Sequence, residues 1–154
     1  SKQTAYQILS ILEGAAKRGT SSKLNDLNIP IGAKTGTSDR GQTIWSIAMT
    51  PNLIVGVYLG YDKDSFTESY GSQYPLPIVH EFLSEIKSDF NFGSFSVPSD
   101  IKHIKINRLT GKRSNEPLSN NVIYEVFKSS DKLPDIESEL SRKENKYDIY
   151  DIDN

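Results

Sequence analysis

The stretch IPIGAKTGTSDRG, Ile29 to Gly41, gathers Lys34, Thr35, Gly36 and Thr37 at the end of a short apolar run. An ammonium and two hydroxyls close together can hold a carboxylate, the first by charge and the others as hydrogen-bond donors. If the segment is a strand, its two-residue period sends Lys34 to one face and Thr35 and Thr37 to the other. Gly36 then leaves the backbone open to close approach. An edge of this kind can take an extended peptide by strand addition. A phosphate loop fits poorly, because that motif runs glycine, four residues, then Gly-Lys-Ser/Thr, whereas here Lys34 precedes Gly36. An ordinary hairpin edge is the bland reading, and on four residues alone the choice stays open.

The elements that would position these residues can be read from periodicity. Ala5, Ile8, Leu9, Ile11, Leu12, Ala15 and Ala16 follow a helical period, with Thr4 placed to cap the start and Gly19 to stop the end. IPIGAKTGTS begins as a strand in which Pro30 can stand only at an edge or a first position. QTIWSIAMT alternates in parity, TPN turns, and LIVGVYLGY is the strongest strand of the chain. After the turn-rich DKDSFTESYGSQYP, Ile78, Val79, Phe82, Leu83 and Ile86 predict a helix over Leu76 to Lys87. The expected fold class is therefore α+β, a three-stranded antiparallel sheet flanked by helices over residues 1–92. A small β appendage over 93–136 follows, built on IKHIKIN, a turn at Thr110-Gly111, and VIYEVFK. From Glu137 to Asn154 six acids and three bases stand among few aliphatics, so a disordered acidic tail is expected there.

Composition excludes more than it assigns. The 154 residues carry a formal charge of -2, which offers no general basic face, so nucleic acid is not an expected partner. There is no cysteine, hence no disulfide and no thiolate metal site. No cofactor is expected. No window approaches the run of about 20 apolar residues that a membrane span needs, so the chain reads as soluble, with no leader segment at its start. His80 beside Glu81 lacks a second histidine at helical spacing, and it and His103 read as surface residues. Trp45, Tyr58, Phe82 and Phe90 read as core aromatics rather than a sugar platform. Lys102, Lys105, Arg108, Lys112 and Arg113 could meet an anionic glycan or lipid but read as a solvated face.

Lys-Thr-Gly is the third motif of the penicillin-recognising serine enzymes, after Ser-x-x-Lys and Ser-x-Asn or Ser-Asp-Asn. The likeness extends well past it. TAYQILSILEGAAKRGT resembles the family helix ahead of that motif, and GAKTGTS with IWSIAMTPNLIVGVYLGYD resembles the three-strand block of the class A (bifunctional) penicillin-binding proteins. YPLPIVHEFLSEI is similar to the helix that closes the domain, and IKINRLTGKRS and YEVFKSSDKLP are similar to the segment beyond it. The chain thus resembles the C-terminal part of a class A transpeptidase domain, a remnant of the serine transpeptidase/β-lactamase-like fold. A serine β-lactamase or a D,D-carboxypeptidase fits less well because of the segment beyond the closing helix.

In the family the two earlier motifs precede Lys-Thr-Gly, and neither occurs among the 33 residues ahead of Lys34. Downstream matches, Ser84 with Lys87, Ser99 with Lys102, Ser129 with Lys132, and Ser119 to Asn121, come in the wrong order and read as chance. The resemblance implies acyl transfer in a parent enzyme, with peptidoglycan stem peptides and β-lactams as its partners on the extracytoplasmic face of the membrane. Membrane attachment would come only through an N-terminal anchor absent here. Lys34 would serve the substrate carboxylate and a proton path, and Thr35 and Thr37 would donate to the carboxylate. The Thr37 N–H would form one arm of an oxyanion hole, and Gly36 would permit close approach. The chain alone would be inactive. Two departures concern the rim of the cleft: Gln42-Thr43-Ile44 stands where the family often has an acid ahead of the tryptophan, and YGSQYP replaces a glycine pair. With both neighbouring strands of the family sheet missing, the open edges imply self-association by strand addition or by exchange of the first helix. The alternative is a non-enzymatic module that binds a peptide or partner at the same edge.

Overall fold

The computed structural model describes residues 1–61 and 70–138. They form two compact units, one of Ile8–Val97 and the other of Ser1–Gln7 with the described residues from Pro98 onward.

Helix α1 spans Lys2–Arg18. Its cap is Ser1, whose Oγ accepts the Thr4 N–H at 3.2 Å and whose carbonyl accepts the Ala5 N–H at 3.1 Å. Thr4, the expected cap, lies inside the first turn instead. Ala16 is the helix's only buried residue, and Ile8 and Ile11 are exposed, so the apolar stripe is largely uncovered within the described residues. The helix stops at Gly19, where a Cβ would stand 2.9 Å from the Ala15 Cα. A 3₁₀ turn over Ser22–Leu27 then buries Leu24 and Leu27.

Strands β1 (Gly32–Thr37), β2 (Thr43–Met49) and β3 (Ile54–Gly60) form an antiparallel sheet in the order β1-β2-β3. Lys34 pairs with Ile47, Thr35 with Ser46, and Gly36 with Trp45, which in turn faces Tyr58. Directly paired residues share a face. One face therefore carries Ala33, Ala48 and Val55 with Thr35, Ser46 and Val57. The other carries Lys34, Ile47 and Gly56 with Gly36, Trp45 and Tyr58. The first face is the core side, where Ala33 and Ala48 cluster with Leu76, Val79 and Leu83 of helix α2 (Pro75–Ile86). Pro75 opens that helix at a position where its missing N–H costs nothing. The buried stripe is Leu76, Val79, Leu83, whereas Ile78 and Phe82 face outward.

The expectation of core aromatics is overturned. Trp45 is 43% and Tyr58 50% exposed, and Phe82 and Phe90 are also open to solvent. Parity explains the first two: both lie on the sheet face opposite α2, with ring centroids 4.8 Å apart. Phe90 rests edge-on against Phe92, and Phe92 is the member that reaches the core.

In the second unit β4 (Ile101–Asn107) pairs antiparallel with β5 (Val122–Lys128), burying Ile106 and Val122. The basic residues there do more than sit in solvent. Lys105 Nζ donates to the carbonyls of Asn115 and Glu116 at 3.1 and 2.9 Å, Arg108 to Asn120 O at 2.9 Å, and Arg113 Nε to Pro134 O at 2.6 Å. Each cation ties a loop carbonyl to the hairpin. Glu137, expected to open a loose tail, is 6% exposed and accepts from Asn107 Nδ2 at 2.9 Å and Thr110 Oγ1 at 3.2 Å. The rest of that expected tail, from 139, lies outside the described residues.

Candidate active-site edge

The Lys34–Thr37 segment occupies all but the first two residues of β1, an edge strand of the described sheet. Which backbone groups it presents follows from register. The Ser38 N–H donates to Thr43 O at 2.9 Å, which makes 38 and 43 a hydrogen-bonded pair. Hydrogen-bonded and open pairs alternate along an antiparallel ladder. Thr37, Thr35 and Ala33 are therefore the open positions, whose N–H and C=O point away from β2 toward the free edge. Lys34 bears this out locally: its Nζ reaches the Thr35 carbonyl at 2.6 Å.

The hydroxyls are held separately. Thr35 Oγ1 lies 3.0 Å from Thr20 Oγ1, and Thr37 Oγ1 accepts the Gly71 N–H at 3.4 Å. Gly71 is pressed so tightly onto the β1–β2 pair that a Cβ there would collide with the Trp45 carbonyl oxygen and stand 2.8 Å from the Gly36 carbonyl oxygen. At Gly36 the space is ordinary, a Cβ meeting only Trp45 Cβ at 3.5 Å among the described residues. Ser46, across from Thr35, and Ser21, next to Thr20, are wholly buried, and their hydroxyls have no hydrogen-bond partner among the described residues.

The four residues singled out from the sequence thus stand together on one edge, with Lys34 on the outer face and both threonine hydroxyls on the other. Sequence reasoning missed Thr20, Ser46 and Gly71. Gly71 was legible only as one glycine in a turn-rich stretch, and Thr20 only as the residue after the helix stop. The serines of the three downstream Ser-x-x-Lys matches are all exposed, as are Ser119, Asn120 and Asn121. His80 Nε2 lies 2.8 Å from Asp26 Oδ1. No group of three or more His, Cys, Asp or Glu residues suited to a metal ion occurs among the described residues. No helix among them is long and apolar enough to cross a membrane.

No protein-family model matches the chain. Penicillin-binding protein 1A of Rickettsia felis is 36% identical over 149 residues, covering 95% of this chain and 18% of that protein. The protein of the same name from Rickettsia prowazekii is 38% identical over 125 residues, 80% of this chain and 15% of the relative. Among solved structures, the crystal structure of penicillin-binding protein 1A from Haemophilus influenzae superposes over 90% of this chain and 22% of its own length, with a TM-score of 0.71 at 23% identity. That likeness shows a shared fold. The chain belongs to the penicillin-binding proteins. Within them it is a stretch of the transpeptidase region of the class A group, and it spans under a fifth of the length of the curated relatives just described.

Proposed function

We propose that this chain supplies one wall of the acyl-transfer site of a peptidoglycan D,D-transpeptidase, working at the extracytoplasmic face of a bacterial membrane within a longer protein. The observation that carries this reading is the β1 register. It directs the N–H groups of Thr35 and Thr37 out of the sheet edge, beside two hydroxyls and one ammonium.

In the proposed reaction a serine oxygen bonds to the carbonyl carbon of the penultimate D-Ala of a stem peptide. The C–N bond to the terminal D-Ala breaks, and the departing nitrogen takes a proton. An amine of a neighbouring stem peptide then attacks the ester and frees the serine. The serine belongs to a part of the protein outside these residues. What β1 contributes is electrostatic: Lys34 meets the substrate's terminal carboxylate with positive charge, and Thr35 and Thr37 donate hydroxyl protons to it. The Thr37 N–H faces the place where negative charge develops on the carbonyl oxygen. A β-lactam offers a carboxylate and a strained amide to the same groups. The non-catalytic alternative uses the same free edge to add a peptide strand without chemistry.

The test is Lys34→Ala in the longer protein, read as the rate of acylation by a fluorescent penicillin. Lys34 is exposed, so its loss leaves the fold nearly intact, and acylation should fall by about two orders of magnitude, the scale of one preorganised electrostatic contact. Equal rates in both proteins would leave the edge a peptide-binding or plain structural one.

A further inference from the structure

Thr20 has no part in the reading above, yet its hydroxyl lies 3.0 Å from that of Thr35. The turn that carries Thr20 is tightly fixed. The Gly19 N–H donates to Ala15 O at 3.1 Å, the Ser22 N–H to Gly19 O at 3.0 Å, and the Leu24 N–H to Ser21 O at 3.0 Å. Ser21 is wholly buried. Across the ladder from Thr35 stands Ser46, also wholly buried, its hydroxyl without a partner among the described residues, like that of Ser21. One step along the same face the equivalent pair is Ala33 and Ala48. Alanine therefore fits that layer sterically, and a buried unpaired hydroxyl is a cost that packing alone does not require. Thr35 thus has a serine directly across the ladder and one hydroxyl, that of Thr20, already bonded to it.

We propose that Thr20 is a positioning residue for the Thr35 hydroxyl, turning it into a directed donor for the carboxylate of a stem peptide or β-lactam; this rests on the proposed role of the β1 edge as a carboxylate site. A hydroxyl has one proton and two lone pairs. When Thr20 donates to Thr35 Oγ1, the Thr35 proton is free to point at an anion, and a chain of such bonds strengthens each member. The bond also selects one side-chain rotamer of Thr35, since threonine otherwise has more than one available. Thr37, anchored instead by the Gly71 N–H, keeps its proton for the carboxylate without such a relay.

The experiment uses the longer protein with Thr20→Val, Thr20→Ser, Thr35→Ala and the Thr20→Val/Thr35→Ala double variant. Acylation is timed with benzylpenicillin and with its methyl ester, which lacks the carboxylate charge, and thermal unfolding is followed for each variant. Thr20→Val should slow benzylpenicillin about three- to tenfold, the scale of one hydrogen bond between neutral groups, and leave the ester rate unchanged. Thr20→Ser should restore the rate, and the double variant should be no slower than Thr35→Ala. Thr20→Val slowing both reagents alike, or slowing neither while Thr35→Ala slows benzylpenicillin, overturns the positioning role and leaves the edge reading standing. If Thr35→Ala itself changes nothing with benzylpenicillin, the edge reading fails and takes this inference with it.

Discussion

Gly36 and Gly71 both lie against the β1–β2 pair, but the structure gives them opposite reasons to be glycine. At Gly36 the backbone is extended, since the glycines with positive φ are Gly41, Gly93 and Gly111. Among the described residues an added methyl would meet only Trp45 Cβ, at an ordinary 3.5 Å. Glycine in a strand costs about 0.5–1 kcal/mol relative to alanine through backbone freedom in the unfolded chain. Gly36→Ala should therefore be neutral or stabilising, with Tm unchanged or raised by about 1–4 °C for a protein of this size. The same methyl stands on the outer face beside Lys34, where a substrate laid along β1 must pass. Acylation of the longer protein by a fluorescent penicillin should then fall at least about tenfold, the penalty expected when a small displacement spoils substrate alignment. Gly71→Ala is the control. Its methyl collides with two backbone oxygens that cannot yield without distorting the sheet. Overpacking of that kind costs about 1–3 kcal/mol, so Tm should drop by about 2–12 °C, and acylation should fall as well because the N–H that anchors Thr37 is displaced. Paired measurements of melting and acylation on both variants decide the matter. A Gly36→Ala protein with lowered Tm would show that the glycine serves the fold, and one with unchanged acylation would show that substrate does not approach β1 there.

Two further outcomes concern the 154-residue chain alone. Incubated with a fluorescent penicillin it should form no serine-linked adduct by mass spectrometry, since its Ser-x-x-Lys serines are exposed and Lys34 cannot replace an attacking group; a stoichiometric adduct would refute the proposed division of labour. The same chain should self-associate at micromolar concentration, because among the described residues β1 and β3 are both sheet edges and Trp45, Ile47, Ile54 and Tyr58 are exposed on one face. A monodisperse monomer in light scattering would contradict that.

The order of elements in the first unit was legible because each has a clear period: the antiparallel three-strand block and the helix over Leu76 fall within three residues of β1, β2, β3 and α2. What periodicity could not supply was the identity of the buried face. In α2 the stripes Val79, Leu83 and Ile78, Phe82 are equally apolar, and only the position of the sheet selects the first. Likewise Trp45 and Tyr58 satisfy an alternating pattern on either face, and their bulk argued for burial, whereas the small residues Ser46 and Ala48 turn inward beneath α2. Cap residues were less legible still, since Ser1 and Thr4 are both good caps and the choice depends on where the first turn closes. The basic residues near β4 read as surface charge because the partners of Lys105, Arg108 and Arg113 are main-chain carbonyls of loops, which no side-chain pattern reveals.

The candidate site shows the same limit more sharply. The two-residue period alone separates the Lys34 ammonium from the two threonine hydroxyls, and that much needs no structure. It does not say whether the N–H of Thr37 pairs with β2 or faces outward, because either phase of the ladder has the same side-chain parity. The loop between the strands makes that choice. Asp39–Gly41 forms a single 3₁₀ turn closed by the Gly41 N–H to Ser38 O at 2.9 Å, and Gly41 takes a φ of 65° that a residue with a side chain would resist. The Thr43 N–H then donates to the Ser38 hydroxyl at 2.9 Å while the Ser38 N–H donates to the Thr43 carbonyl, and the ladder phase is set from that end. A loop one residue longer or shorter would slip the register and send the whole motif to the other face. The SDRG turn is thus what places the Thr35 and Thr37 backbone at the open edge, where the proposed carboxylate and oxyanion contacts require it.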